Sequence, residues 1–540
     1  MRAPRQAAPR QGAPRQGAPR QGAARRGRDR RARMLPAPPG APRVGEDRPS
    51  VAVVGGGIAG LAAATALAER GVAVTVYERR PYLGGRVGGW PTRLRDGSPA
   101  TMSRGFHAFF RQYYNLRGLL RRTDPALERL TALADYPLLH ADGLRDSFRH
   151  IPRTPPLSAM GFVAFSPSFR PTDLRAMNPF AALPLLDVRV PEVYDRLDGT
   201  SAHAFLDAVR FPDSARHLAF EVFSRSFFAD PRDLSAAEMA LMFHIYFLGS
   251  AEGLLFDVPR DSFPAALWDP LADYLTRHRA EIRTGTSVQH IAPVADGGLV
   301  VACERDERRY DGVVLALDSA GLRSLVEQCP RLGDAPWRER VERLRTAPPF
   351  LVSRLWLDRP VAPDRPAFLG TSGFGTLDNI SVLERYEDEA ARWSGRTGGS
   401  VVELHAYAVP PGAARDVEQK RLLGQLHRVY PETSTATVLD ARHEWHEDCP
   451  MFPVGGYRDR PTVRTPHPRV VLAGDLVRTG LPVALMERAA TSGFLAANAL
   501  LEQWGVRGQT LWTVPDRGRN ALLRALAAWG RTPAVGGRRT

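Results

Sequence analysis

The chain has 540 residues, 24% of them charged and 44% hydrophobic, and carries a net charge of +15. That length supports two or three domains with a large buried core. No run approaches about 20 apolar residues, which excludes a membrane-spanning helix. Cys303, Cys329 and Cys449 are too few and too scattered for a disulfide framework or a metal cluster, and suit a reducing cytoplasm.

Taken in chain order, residues 1–50 hold 13 Arg against Asp29, Glu46 and Asp47, and repeat Ala-Pro-Arg-Gln-Gly with almost nothing apolar. Residues 1–49 are therefore expected to be a disordered tail. Clustered arginines attract phosphate, on anionic lipid or nucleic acid. No basic, aromatic-studded surface follows to read bases, so no nucleic-acid partner is expected. Lipid contact, a plain solvated extension and an upstream start before Met34 stay open. No apolar segment follows the arginines, so the tail is not a secretory signal.

Val51–Val54 is a short apolar run suited to a buried parallel strand. Gly55, Gly57 and Gly60 fit G-x-G-x-x-G, an Ala/Leu-rich helix runs from Ile58 to about Arg70, and a second strand from Val72 ends on Glu78. Gly55 makes the tight turn, Gly57 admits a pyrophosphate, and Gly60 lets helix and strand pack closely. Ile58 and Ala59 bring free N–H groups to the phosphates, and Glu78 accepts from the adenosine ribose. Arg79 then leads to Gly84, Gly85 and Arg86. Two adjacent glycines and an arginine so soon after the ribose-binding acid resemble the second diphosphate contact of two-domain FAD oxidoreductases, which NAD dehydrogenases do not carry.

The segment 136–254 reads as helical and greasy. Met160-Gly-Phe-Val-Ala-Phe and Pro179-Phe-Ala-Ala-Leu-Pro-Leu-Leu, separated by arginines, fit either ordinary core or insertion into one leaflet. Ser235 and Glu238 form a capping box for a helix that is apolar nearly all round through Leu248, a buried helix or the wall of a lipophilic tunnel. Val288 sits in a short strand, and Asp311–Leu317 is a buried strand. Leu351–Asp358 alternates, and Ser400–Ala408 sets Glu403, His405 and Tyr407 on one face. That face is either solvent-exposed on an edge strand or part of a substrate site in which Glu403 or His405 accepts a proton. His107 either lines such a pocket or bonds within its own turn. Near the C-terminus a strand ends in Gly474 and Asp475, placed for the ribityl and phosphate end of a flavin. The N–H groups around Met486 suit a flavin's pyrimidine carbonyl. Asn520–Trp529 is a short basic amphipathic helix.

Gly-Gly-Gly-Ile-Ala-Gly at 55–60, Leu-Gly-Gly-Arg at 83–86, and Leu-Ala-Gly-Asp with Met-Glu-Arg-Ala and Ser-Gly at 472–493 together resemble the amine-oxidase superfamily. Ser103-Arg-Gly-Phe-His-Ala-Phe-Phe-Arg-Gln-Tyr-Tyr-Asn-Leu116 is similar to a stretch of its carotenoid desaturases. The likeness is nearest to the β-carotene desaturase/methylases, the isorenieratene-synthase group. It implies an α/β fold: a Rossmann-like FAD-binding domain of amine-oxidase type, built from 50–135, 255–335 and 455–505, with an inserted α+β substrate domain from 136–254 and 336–454. Residues 506–540 would be an amphipathic tail. It further implies bound FAD, a carotenoid substrate, a quinone or oxygen as electron acceptor, and peripheral contact with the inner face of the cell membrane. The implied reaction removes hydride from a β-ionone ring, shifts one methyl and ends in an aromatic ring. Phe106, Phe109, Phe110 and Tyr113 are candidates to line the pocket and stabilise positive charge. The alternatives are desaturation or cis–trans isomerisation without a methyl shift, and a membrane-surface protein with a structural flavin. No metal is expected.

Overall fold

The computed structural model describes residues 29–529 apart from 47, 134, 150, 217–227 and 296. At its centre lies a parallel sheet of five strands in the spatial order Glu281–Thr284, Ala73–Glu78, Ser50–Val54, Gly312–Leu315 and Val470–Leu472. These strands are short, rich in Val and Leu, and mostly buried on both faces, as a sheet covered on each side requires. Ser50–Val54 lies between the strand that follows it in sequence and one from 260 residues later, so the strand order reverses beside it. The crevice at such a reversal is where open α/β sheets bind ligands.

Helix Ile58–Glu69 packs against helix Leu485–Gln503, and side-chain-free positions allow it. A Cβ on Gly493 would lie 2.2 Å from the Ala59 carbonyl oxygen. A Cβ on Gly60 would lie 1.9 Å from the Gly55 carbonyl, the close helix–strand approach expected of the third glycine.

The second sheet has seven strands, in the order Val438–His446, Phe350–Leu357, Ser400–Ala406, Asn379–Val382, Phe368–Ser372, Pro137–His140 and Arg145–Ser147. The last two come from 136–254, so that segment is not purely helical. Ser400–Ala406 is an inner strand, and every residue in it is buried. The solvent-exposed edge reading of Glu403, His405 and Tyr407 therefore does not hold. Alternation came from an internal polar face, not from water.

Helix Ala236–Phe243 continues as a π-helical turn, His244–Leu248, which reaches the same cavity as this sheet's polar face through Tyr246, with Leu157–Phe165 packed on the turn and Pro179–Leu186 on the helix. Ser235 caps the helix by accepting from the Ala237 N–H at 3.2 Å. Glu238 does not complete the expected capping box. It is buried between Arg460 and Arg488, with Arg488 Nη2 2.8 Å from its Oε2. A carboxylate at 1% exposure needs charged partners more than a helix-end N–H needs a cap.

Disorder through residue 49 is also corrected. Arg33–Leu35 pairs antiparallel with Leu511–Thr513. Asp29, at 3% exposure, is held by Arg519 through contacts of 2.8 and 3.1 Å. A paired strand and a buried ion pair supply the ordering that composition alone does not suggest. Residues 1–28 lie outside the described residues. Among the described residues, no helix is long and apolar enough to cross a membrane.

Candidate active site

A single cavity of about 890 Å³ runs from the reversal point of the parallel sheet to the face of the seven-stranded sheet. At the sheet end, Gly55 has φ +113°, and a Cβ there would lie 2.3 Å from the Ala316 carbonyl. At Gly57, by contrast, a Cβ would meet nothing nearer than 3.8 Å, so the backbone lies open to whatever fills the cavity. Helices Ile58–Glu69 and Leu485–Gln503 both begin at this wall without a side-chain cap. Their first-turn N–H groups and dipoles favour an anion or a carbonyl oxygen. Ile58 and Ala59 line the first opening and Met486 the second.

Glu78 is tied down by the Gly56 N–H at 2.8 Å and the Arg80 N–H at 2.9 Å, one on each carboxylate oxygen. Each oxygen keeps a lone pair for a ribose hydroxyl. Arg86 and Asp475, 389 residues apart in sequence, meet at 2.5 Å in the cavity wall. Burial disfavours the Arg86 charge, but Asp475 outweighs it and raises the pKa well above normal, so the guanidinium stays charged for a diphosphate. Open backbone at Gly57, two uncapped helix ends, an acid and an arginine together fit FAD.

The other end of the cavity is aromatic. Phe106 stacks on Phe368 with ring centroids 4.2 Å apart, Tyr136 leans on Phe368 at 4.7 Å, and Phe110 on Tyr246 at 4.7 Å. Within this wall sits one chain of polar groups. Arg354 faces Glu403 directly across two paired strands and donates to its Oε2 from Nε at 2.9 Å and Nη2 at 2.7 Å. Glu403 Oε1 is 3.0 Å from His405 Nε2, His405 Nδ1 is 2.8 Å from the Tyr407 hydroxyl, and Asn379 Nδ2 donates to that hydroxyl at 3.0 Å. Burial alone would raise the Glu403 pKa, but Arg354 and His405 hold it down at about 2. His405 Nε2 also lies 3.2 Å from the Phe106 N–H. The ionised carboxylate is the stronger partner, so Nε2 carries the proton and Nδ1 is the accepting nitrogen.

Comparison with known proteins agrees with this geometry. Residues 58–501 match the family of flavin containing amine oxidoreductases. The chain belongs to that family. It is an FAD-dependent oxidoreductase. A carotenoid phi-ring synthase of Streptomyces griseus is 71% identical over 497 residues, covering 92% of this chain and 96% of the relative. A carotenoid phi-ring synthase of Chlorobaculum tepidum is 27% identical, covering 86% and 90%. Among solved structures, putrescine oxidase bound to putrescine superimposes with a TM-score of 0.62 at 16% identity, covering 84% of this chain and 99% of that one, a likeness of fold.

In this flavoenzyme, Gly55, Gly57, Ile58, Ala59, Glu78, Arg79, Gly84, Gly85, Arg86, Val288, Gly474, Asp475 and Met486 all line the one cavity, as do His107 and His405. Gly60 does not, because it serves packing. Glu403 stands behind His405 and does not reach the cavity wall. Phe106, Phe110 and Tyr113 line it, whereas Phe109 is fully buried in a strand pairing with Asp257. His107 does both things expected of it: it lines the cavity, and its Nδ1 lies 2.8 Å from the Gly105 carbonyl oxygen. Tyr246 lines the cavity from the helix expected as a buried helix or tunnel wall, whereas sequence reasoning missed Arg354, Tyr136, Phe368 and Asn379. Only Arg354 left a signal, a lone charge inside the apolar run Phe350–Leu357.

Proposed function

We propose that this protein converts the β-ionone ring of β-carotene into an aromatic ring by dehydrogenation with a 1,2-methyl shift. The observation that carries the reading is an aromatic slot, continuous with the FAD cradle, whose polar wall includes a His405–Tyr407 pair backed by Glu403. The names of the phi-ring synthases support the substrate class.

FAD would be held by Gly57, the first turns at Ile58 and Met486, Glu78, Arg86 and Asp475, and supplies a two-electron acceptor. The rest falls to the chain's own residues. Phe106, Phe110, Tyr136, Tyr246 and Phe368 exclude water from a cationic ring, orient it, and turn π faces to the positive charge. Aromatisation releases two hydrides and two protons per ring and keeps every carbon. Each ring proton passes to the Tyr407 oxygen as the Tyr407 proton moves to His405 Nδ1, and ionised Glu403 stabilises the imidazolium that forms. Arg354 keeps Glu403 ionised and fixed. His107 is pushed down to about 4, chiefly by burial, and stays neutral, so it adds no charge beside the cationic ring.

The reading includes a quinone or oxygen as final electron acceptor and peripheral action from the cytoplasmic side of the cell membrane. Expression in a β-carotene-producing host tests it. The expected product has lost four hydrogens per converted ring, retains all its carbons, and absorbs as an aryl carotenoid. A product lacking hydrogens but keeping its geminal methyls means desaturation without the shift. An unchanged mass with altered geometry means isomerisation.

A further inference from the structure

Glu238, Arg460 and Arg488 are buried together and take no part in the chemistry proposed above. The Tyr194 hydroxyl donates to Glu238 Oε1 at 3.0 Å, the oxygen that also meets Arg460, and Arg488 Nη2 donates to Oε2 at 2.8 Å. Burial alone would raise the Glu238 pKa, but Arg488 and Arg460 outweigh it and the carboxylate is ionised. Two guanidiniums on one carboxylate are more than charge balance asks, and burying each of them is costly. The reason lies in what their remaining N–H groups hold.

Arg460 donates from Nε to the Leu476 carbonyl at 3.0 Å and from Nη2 to the Val477 carbonyl at 3.4 Å. Arg488 donates from Nε to the Val483 carbonyl at 2.9 Å and from Nη1 to the Asp475 carbonyl at 3.3 Å. All four carbonyls lie between residues 475 and 483, and the flanks of that loop, Asp475 on one side and Leu485 and Met486 on the other, face the FAD end of the cavity. The carboxylate that grips both arginines stands instead on helix Ala236–Phe243, whose π-helical continuation puts Tyr246 in the slot wall. One side chain therefore joins the flavin loop to the slot. Tyr246 meets Tyr113 there, hydroxyl to hydroxyl at 3.2 Å. Tyr113 has a tie of its own: Glu487, between Met486 and Arg488, accepts from the Asn115 N–H at 2.8 Å and the Leu116 N–H at 2.9 Å.

We propose that Glu238 is a positioning residue that sets the Tyr246 wall of the slot from the FAD-holding loop, so that loading of the cofactor at Asp475 and Met486 is transmitted to Tyr246 through Arg460 and Arg488. Coupling of this kind is reciprocal, so a ligand seated against Tyr246 tightens the hold on FAD by the same factor. The two tyrosines divide the task. Tyr113 follows the loop through Glu487, Tyr246 follows it through Glu238, and their hydroxyl contact forms only with both in place.

The test is backbone hydrogen exchange in the full chain, stripped of FAD and then reloaded with it. No carotenoid is needed, so its outcome is separate from that of the reaction proposed above. In wild type, FAD should slow exchange by about tenfold or more in residues 239–248, as well as in the cradle at 55–60 and in helix Tyr114–Leu120. Glu238→Gln should abolish the slowing in 239–248 and keep it in the cradle and in Tyr114–Leu120, which Glu487 still ties. Glu238→Asp keeps the charge on a shorter stem and should retain only part of the slowing in 239–248. It carries the test if circular dichroism shows that the glutamine variant does not fold. Equal slowing of 239–248 in wild type and both variants overturns the proposal, as does its absence from wild type. Loss in Tyr114–Leu120 along with 239–248 overturns it too, because removing Glu238 would then loosen the core at large. So does equal slowing in the outlying helix Arg415–Val429, which would mean that FAD orders the whole chain and does not act through one tie.

Discussion

At the parallel-sheet end of the cavity the backbone does the shaping, through glycines, two uncapped helix ends and a few charges within 40 residues of the first strand or close to the last. At the seven-stranded-sheet end, side chains do it, and they arrive from widely separated segments: Phe106, Tyr136, Tyr246, Phe368 and His405. A backbone cradle tolerates almost no added atoms but is indifferent to neighbouring side chains. A side-chain slot is the reverse, tolerant in volume and sensitive to chemistry. The two ends should therefore fail in different ways.

The largest failure belongs to the cradle. Gly60→Ala puts a Cβ 1.9 Å from the Gly55 carbonyl, so helix and strand must separate. We expect a colourless protein destabilised by about 3 kcal/mol or more, read by flavin absorbance and urea unfolding. Gly57→Ala, with its nearest contact at 3.8 Å, should leave unfolding unchanged and weaken only flavin retention. Equal effects of the two would erase the distinction between a packing glycine and a ligand-facing one.

Next comes the polar chain of the slot. His405→Ala should keep full flavin colour and lose about 10²- to 10⁴-fold in turnover, the usual worth of a positioned proton acceptor. Glu403→Gln should lose less and shift the pH–rate profile, because Nδ1 still accepts but the imidazolium loses its counter-charge. A His405→Ala enzyme with normal turnover would remove the chain from the chemistry.

Acid titration separates two members of the slot by window. His107 is pushed from 6.5 down to about 4, first by burial, with the Gly105 carbonyl partly opposing the fall and the Arg86 charge adding to it. Between those values the unfolded chain binds the proton and the folded one does not, so stability falls as pH drops from 6.5 to 4, by up to about 3 kcal/mol. Glu403, held at about 2 against its usual 4.5, contributes stability that is complete above 4.5 and lost as pH falls toward 2. His107→Phe should remove its share of the upper window, to which buried His244 contributes in the same direction and Glu387 and Glu487, raised by burial to about 7 and about 8, in the opposite one, and leave the lower window intact. A curve unchanged by His107→Phe would mean that another group governs the upper window.

How much of this could be read beforehand follows the same division. Glycine spacing dictates local backbone, so that Gly55, Gly57, Glu78, Arg86, Asp475 and Met486 share one wall was legible, whereas the contribution of Ala316–Gly321 to that wall was not. In the slot, alternation exposed the shared face of Glu403, His405 and Tyr407 but not what covers it. An internal polar cluster and a wet surface leave the same pattern of residues. That Arg354 stands opposite Glu403 depends on strand register, set by tertiary packing. The Arg33–Leu35 strand was hidden for a related reason: its partner lies 478 residues away, and the Asp29–Arg519 and Arg33–Asp516 pairs that mark the meeting are as distant in sequence.

The smallest predicted effect is also the most discriminating between the two ends. Phe106→Leu keeps nearly the same volume but removes the stacked pair with Phe368, 4.2 Å between centroids. Such pairs contribute about 0.5–1.5 kcal/mol beyond burial, so the stability loss should stay near 1 kcal/mol. Flavin absorbance and retention should not change, because Phe106 packs on Phe368 and Phe256 at the aromatic end of the cavity. The carotenoid should respond in two ways. KM should rise several-fold, since a flat aromatic surface against a conjugated ring is replaced by a flexible aliphatic one. Turnover should fall further if the π face stabilises the cationic ring, since that interaction is strongest when charge develops. A rise in KM with unchanged kcat would reduce Phe106 to a surface for binding and leave the cation to its other aromatic neighbours.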